Sequence, residues 1–188
     1  MEKKELIRLS ATKIIAKEGF CKTKVQAIAD EAKIAVGTVY IYYKNKDGIL
    51  DYIFETQHKK IVAFSEELEG IDIPPLDKIK RLLEFHFKEM QNNPDLAKVL
   101  VQENRGPPEN ELQWMINDAT DVPEMFHKML DESKQKGEIR DIDTELFGAI
   151  IFYIGRETAY LLQVKGKNDK QYNVFQELIT FIIDGIKR

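Results

Sequence analysis

Residues 23–50 read TKVQAIADEAKIAVGTVYIYYKNKDGIL, and the fold turns on how the middle of this stretch is interpreted. By propensity alone Ile34 to Tyr43 is a strand: ten residues without a charge, rich in β-branched and aromatic side chains. No second strand-like run exists in the sequence to pair with it, and a lone strand is not a stable unit. The stretch is therefore expected to be a short helix, held by tertiary contacts that override local preference.

Just before it, Val25, Ile28, Ala29 and Ala32 make one apolar stripe of about two turns, with Gln26 and Asp30 on the other side and Thr23 placed to cap the helix. Upstream, Ile7, Ala11, Ile14 and Ile15 recur at helical spacing among basic residues, and Gly19 is a natural stop. Downstream, Lys44 to Gly48 turns the chain into a long helix carrying Ile49, Leu50, Ile53, Phe54, Ile61, Val62 and Phe64, expected to end near Leu68. The breakers at Gly70 to Pro75 separate it from a helix with Ile79, Leu82, Leu83, His86 and Phe87 on one face. Asn93-Pro94-Asp95 opens another short helix. From Glu109 to Lys136 the pattern is helical, with a kink or break expected at Pro123 and a stop at Gly137. Two closing helices, about Thr144 to Lys165 and Gln171 to Lys187, complete an all-α chain.

The 188 residues are 43% apolar and 32% charged, with ten Gly and six Pro, a globular rather than disordered or collagen-like balance. The longest uncharged runs, Ile34 to Tyr43 and Leu146 to Gly155, are ten residues each, too short to span a bilayer. No secretory signal is visible, so a cytoplasmic protein is expected. The single cysteine, Cys21, excludes an internal disulfide, and no Cys/His cluster has zinc-finger spacing. Net charge is −4, but its sign changes along the chain: residues 1–50 hold ten Lys or Arg against six Asp or Glu, and the remainder eighteen against twenty-six. A basic module on an acidic body fits a chain whose first part alone meets a polyanion, although ordinary solvated surface gives the same modest excess.

Two short helices joined by a tight turn and followed by a basic loop form a helix-turn-helix, whose second helix enters the DNA major groove. The run from Gly19-Phe20 through Thr23, Ile28-Ala29, Ala32, Gly37-Thr38-Val39-Tyr40, Tyr42-Tyr43 and Lys46 to Ile49-Leu50 resembles the signature of the TetR family of transcriptional regulators. The resemblance implies a helix-turn-helix DNA-binding domain over residues 1–46 and an effector-binding and dimerisation domain over residues 47–188. It implies a homodimeric repressor, released from a double-stranded palindromic operator by a small hydrophobic effector, with no membrane partner. No cofactor is called for. Carried over by residue, Ala35 to Tyr42 is the recognition helix, with Val36 and Thr38 facing bases and Tyr40 and Tyr42 reaching phosphates. Gly37 lets the helix approach the groove without a Cβ, Thr23, Lys24 and Gln26 stand at the entry to the preceding helix, and Lys46 offers an amine beside free N–H groups. Val39 and Tyr43 read as core. Lys33 stands where the family's turn usually has glycine, so the turn needs either a different path or a strained lysine, and Ala35 stands where serine is frequent.

Beyond residue 50 the segment Leu100 to Arg105, the Gly137 stop and the two closing helices resemble the branch that represses fatty-acid degradation and responds to acyl-CoA. Phe85, Trp114, Phe126, Phe152 and Tyr160 offer apolar surface for an acyl tunnel, and Arg105 or Arg156 a partner for phosphate or carboxylate. Ordinary core packing is the simpler explanation of most of these aromatics. The closing helices, apolar nearly all round, suggest a symmetric interface, with Gly148, Gly155 and Ala159 permitting close approach and Ile182 and Ile186 placed within it.

Two other readings compete. Glu55-x-x-His58 and Glu124-x-x-His127, with Glu84, Glu89 or Glu157 conscripted from other helices, have the spacing of di-iron carboxylate bundles, though charged helices produce it by chance. Cys21 beside Lys22 and Lys24 suggests a redox-sensing thiol, against the simpler reading of an ordinary free one.

Overall fold

A computed structural model describes residues 2–103, 121–164 and 170–188. Nine helices are present among them: α1 (Lys3–Glu18), α2 (Val25–Ala32), α3 (Val36–Tyr42), α4 (Lys46–Glu69), α5 (Pro75–Asn92), α6 (Pro94–Gln102), α7 (Asp121–Gln135), α8 (Thr144–Val164) and α9 (Lys170–Ile186). The strand-like IAVGTVYIYY is indeed helical from Val36. Among the described residues the only β pairing is a single antiparallel bridge between Ile139 and Lys187. No helix among them is long and apolar enough to cross a membrane.

The residues divide into two compact units, with the boundary inside α4 between Gln57 and His58. The first contains α1 to α3 and the start of α4, and it also takes in α6, which packs on α1. Its core is built by Ile7, Ala11 and Ile15 of α1, Ile28 and Ala29 of α2, Val39 of α3, and Ile49, Leu50 and Ile53 of α4, all buried. Tyr43 closes it, with its ring against Tyr52 and its hydroxyl donating to the Lys4 carbonyl at 3.0 Å. Burial pushes that phenol up, so it stays protonated and keeps donating.

The second unit holds the remainder of α4 with α5, α7, α8 and α9, in which α8 packs on α5, α7 and α9. Glycine sets the closest contact. A Cβ on Gly148 would lie 2.8 Å from the His127 nitrogen and 2.9 Å from the Pro123 carbonyl oxygen, so α8 lies against the backbone of α7. A Cβ on Gly155 would meet Leu83 of α5 at 2.7 Å. These two glycines therefore serve packing inside the protomer and not the approach of a second copy; the side chain of Ala159 lies outside the described residues. Pro123 sits in the first turn of α7, where a missing N–H costs nothing, and residues 109–120, in which the same helix was expected to begin, lie outside the described residues. Gly137 adopts φ 74° just past the end of α7, as its position in the sequence suggests.

The apolar surface of α8 and α9 has a phase that sequence alone misassigns. Ile182 and Ile186 are buried within the protomer, together with Phe175, whose ring stacks on Phe87 of α5 at 4.2 Å. Among the side chains left bare are Leu146, Ile150, Ile154 and Leu161 on α8, and Val174 and Phe181 on α9, the last 77% exposed. At spacings of four and seven they form one stripe on each helix, and Ile182 and Ile186, expected on the outer face, are instead turned into the protomer core.

Candidate nucleic-acid interface and effector cavity

α2 and α3 are joined by Lys33, Ile34 and Ala35. Lys33 takes the left-handed conformation, φ 55° and ψ 43°, and is the one non-glycine residue with positive φ among those described. Its N–H and that of Ile34 close the end of α2 on the Asp30 and Ala29 carbonyls, so the turn keeps its usual geometry at the strain of a Cβ in the left-handed region. Ala35 then caps α3 without a side-chain hydrogen bond.

The short α3 is anchored by Val39 and shows its other faces to solvent. Ala35, Gly37, Tyr40 and Tyr42 are exposed, and Val36 and Thr38 half-buried. Around Gly37 a Cβ would find nothing within 4 Å, so no packing within the protomer requires glycine there. Sequence reasoning gives Ile41 no role, yet at 78% it is the most exposed large apolar side chain described. The signal for it was the apolar position next to Tyr40 on a helix whose buried seam is Val39.

Upstream, Lys24 and Gln26 are exposed, Gln26 donating to Asp30 at 2.7 Å. Thr23 departs from expectation. It is 3% exposed, and its hydroxyl donates back to the Gly19 carbonyl at 2.8 Å instead of capping α2, whose cap is Lys24. Lys46 departs too. Its ammonium donates to the carbonyls of Phe20 at 2.6 Å and Thr23 at 3.0 Å and lies 4.3 Å over the Phe20 ring, so it latches the turn between α1 and α2. From the other side of that turn the Phe20 N–H donates to the Glu103 carboxylate, just past α6, at 2.9 Å. The α4 terminus is capped by the Asn45 side chain, which accepts from the Gly48 N–H at 2.8 Å. Cys21 is exposed and carries no disulfide.

In the second unit Ile61, Leu82, Leu83, His86, Val122, Phe126, Phe152 and Arg156 line a cavity. About 250 Å³ of non-atom space lies among them, open mouth included, and the centre of a water molecule has about 10 Å³ to move in, roughly the room one water needs. Of the expected effector residues, Phe126, Phe152 and Arg156 are brought together here. Phe85 is not among the lining residues; it stacks on Phe64 at 4.2 Å. Arg105, Trp114 and the side chain of Tyr160 lie outside the described residues. The Arg156 guanidinium donates twice to Glu157, at 2.8 and 3.1 Å, and lies 5.0 Å from the Tyr153 ring centre.

His86 is the lining residue that sequence reading missed, having placed it merely on the apolar stripe of α5. The residue as a whole is half-buried, but its Nε2 is sealed from solvent and has no hydrogen-bond partner. Burial first and the charge of Arg156 second push its pKa down to about 4, with Glu89 opposing, so the imidazole is neutral at pH 7. A histidine on an otherwise apolar helical stripe was the signal.

Residues 7–53 match the profile of bacterial regulatory proteins of the tetR family, and residues 54–180 that of the C-terminal region of YsiA-like proteins. The chain belongs to the TetR family. The fatty acid metabolism regulator protein of Bacillus subtilis is 28% identical over 182 residues, 94% of this chain and 92% of that one. The solved structure of the transcriptional regulator FadR from Bacillus subtilis in complex with stearoyl-CoA superposes with a TM-score of 0.82 at 25% identity, covering 97% of this chain and 98% of that one. The HTH-type regulator YerO of the same organism is 30% identical over 123 residues, 63% of this chain, and the match spans only 42% of that longer protein. As a TetR-family member this chain is a DNA-binding transcriptional regulator that works as a homodimer and answers to a small molecule. The di-iron reading falls: the family is not enzymatic, and among the described residues no three His, Cys, Asp or Glu side chains gather where they would hold a metal.

Proposed function

We propose that this TetR-family regulator is a cytoplasmic repressor released from a palindromic operator by a long-chain fatty acyl-CoA. The observation that carries the reading is the nearly full-length likeness to a regulator bound to stearoyl-CoA, joined to an apolar cavity with a polar edge in the matching half of this chain. The first unit, residues 1–57 with α6, acts as the reader, and the second unit as the effector and dimerisation part. Val36, Thr38 and Ile41 face bases, where their methyl groups meet thymine methyls, while Tyr40, Tyr42, Lys24 and Gln26 hold the backbone. Ala35 and Gly37 allow close approach. Thr23 and Lys46 act indirectly, by fixing the turn that presents α2, and at Lys46 the helix N-terminus rather than the ammonium favours phosphate.

Release works through α4, whose first turns belong to the reader and whose Ile61 lines the cavity. A ligand that prefers one tilt of α4 in each protomer alters the separation of the two readers and hence their fit to half-sites one helical turn apart. Moving such an equilibrium from 99:1 to 1:99 takes about 5.5 kcal/mol of differential binding, within reach of an alkyl chain at roughly 0.8 kcal/mol per buried CH2. A gel-shift titration on the duplex upstream of the coding sequence, followed by an unbiased operator selection, tests the DNA half. Adding acyl-CoAs of increasing chain length tests the other: release by long chains and not by free CoA is expected, and specific binding indifferent to all of them refutes the effector.

A further inference from the structure

The cavity wall is almost wholly carbon, and the exceptions lie together. His86 on α5 and Arg156 on α8 both line it, and the guanidinium charge disfavours a second positive charge on the imidazole. A sealed imidazole nitrogen without a partner is costly, so the site gains when a ligand supplies the missing partner. What kind of partner follows from the surroundings. The imidazole is neutral and so carries one N–H, and the nearby guanidinium favours a group with negative partial charge over a second donor. Carbon walls on the remaining sides, from Leu82, Leu83, Phe126 and Phe152, suit an alkyl chain. Oxygen at one end and hydrocarbon beyond it describe an acyl group.

We propose that His86 Nε2–H, backed by the charge of Arg156, recognises the acyl oxygen of the effector, making His86 the residue that distinguishes an acyl chain from a plain alkyl chain. This rests on the acyl-ligand reading above and deepens it. The oxygen is that of a thioester carbonyl or of a free carboxylate, and Arg156, already paired with Glu157, acts through its field without exchanging that partner.

The test is calorimetric titration of the full-length chain with stearoyl-CoA, with octadecyl-CoA, the thioether that lacks only the carbonyl oxygen, and with stearate. Wild-type protein is expected to bind an acyl species about tenfold tighter than the thioether, the net worth of one hydrogen bond. Stearoyl-CoA preferred assigns the thioester; stearate matching it assigns the carboxylate. In His86→Phe the acyl preference is expected to shrink to within about twofold while thioether affinity is kept, and His86→Gln, which retains an N–H donor, is expected to restore part of it. A merely structural role would weaken all ligands alike and leave the ratio unchanged, which overturns the inference, as does a wild type that binds thioester and thioether equally. If no acyl species binds at all, the acyl-effector reading fails and takes this one with it.

Discussion

Gly37 separates stability from DNA recognition, because the fold and the proposed interface make opposite demands on it. In the free protein it lies mid-helix in α3, where an added methyl would have nothing within 4 Å, so Gly37→Ala meets no steric resistance. Alanine loses less backbone entropy in a helix than glycine, and the substitution is expected to stabilise each protomer by about 0.5–1 kcal/mol. On DNA the same methyl stands between helix and groove. Forcing a methyl into a close-packed contact costs at least about 1 kcal/mol, and a homodimer incurs it twice, so about 2 kcal/mol or a roughly thirtyfold loss of affinity is expected. Urea unfolding reads the first quantity and fluorescence anisotropy on the selected operator the second. Raised unfolding midpoint with weakened binding is the expected pair of results. Unchanged operator affinity would mean that α3 does not approach the groove through this face, and the assignment of Val36 and Thr38 to bases would fall with it.

Three further outcomes are expected. Lys46→Met removes the charge-assisted bonds to the Phe20 and Thr23 carbonyls and should destabilise the protein by about 1.5–3 kcal/mol, whereas lost DNA affinity with an unaltered unfolding curve would put the ammonium on phosphate instead. Phe181→Glu should lower the mass in sedimentation from dimer to monomer without unfolding the chain, while Ile182→Glu should unfold it; a persistent Phe181→Glu dimer would move the interface off the exposed stripe. The pKa of His86 falls from 6.5 unfolded to about 4 folded, so below pH 6.5 the unfolded chain binds the extra proton: stability from this group is complete above pH 6.5 and is lost as pH falls toward 4, by up to about 3 kcal/mol. The urea stability of wild type should therefore fall relative to that of His86→Phe as pH drops through that window, and parallel pH profiles would show that His86 is not held neutral.

The sequence disclosed the reader well because its signals are local. The stripe of α2, the seam residue Val39, the stop at Gly19 and the unusual Lys33 at the turn each depend on a few neighbouring residues, and each recurs in the structure, Lys33 at φ 55° included. Even the strand-like run could be reassigned, since a strand needs a partner and the chain offers none. The failures have a common cause of another kind. On α8 and α9 apolar residues occur nearly all round, so periodicity fixes the helix but not its phase, and the burial of Ile182 beside the exposure of Phe181 is decided by tertiary packing. The partners of Thr23 and Lys46 were not legible because each side chain chooses between solvent-facing and backbone partners whose positions only the fold supplies. His86 was visible as a residue and invisible as a site, for nothing in the spacing of α5 says that Arg156 lies across a cavity from it.

The packing of α6 on α1 bears on how such a regulator can be recombined. A cut at residue 57, after the last residue of α4 that belongs with the reader, yields a fragment without α6, leaving bare the side of α1 that α6 covers and stripping the Phe20 N–H of its Glu103 acceptor. The reader is thus not a cassette that can be moved by joining one segment to a foreign partner. Chimeras that keep its DNA specificity need to carry residues 93–103 along with the first 57, or to supply a donor helix shaped to the same face, and divergence of the effector half is constrained at α6 in a way it is not at α7 or α8.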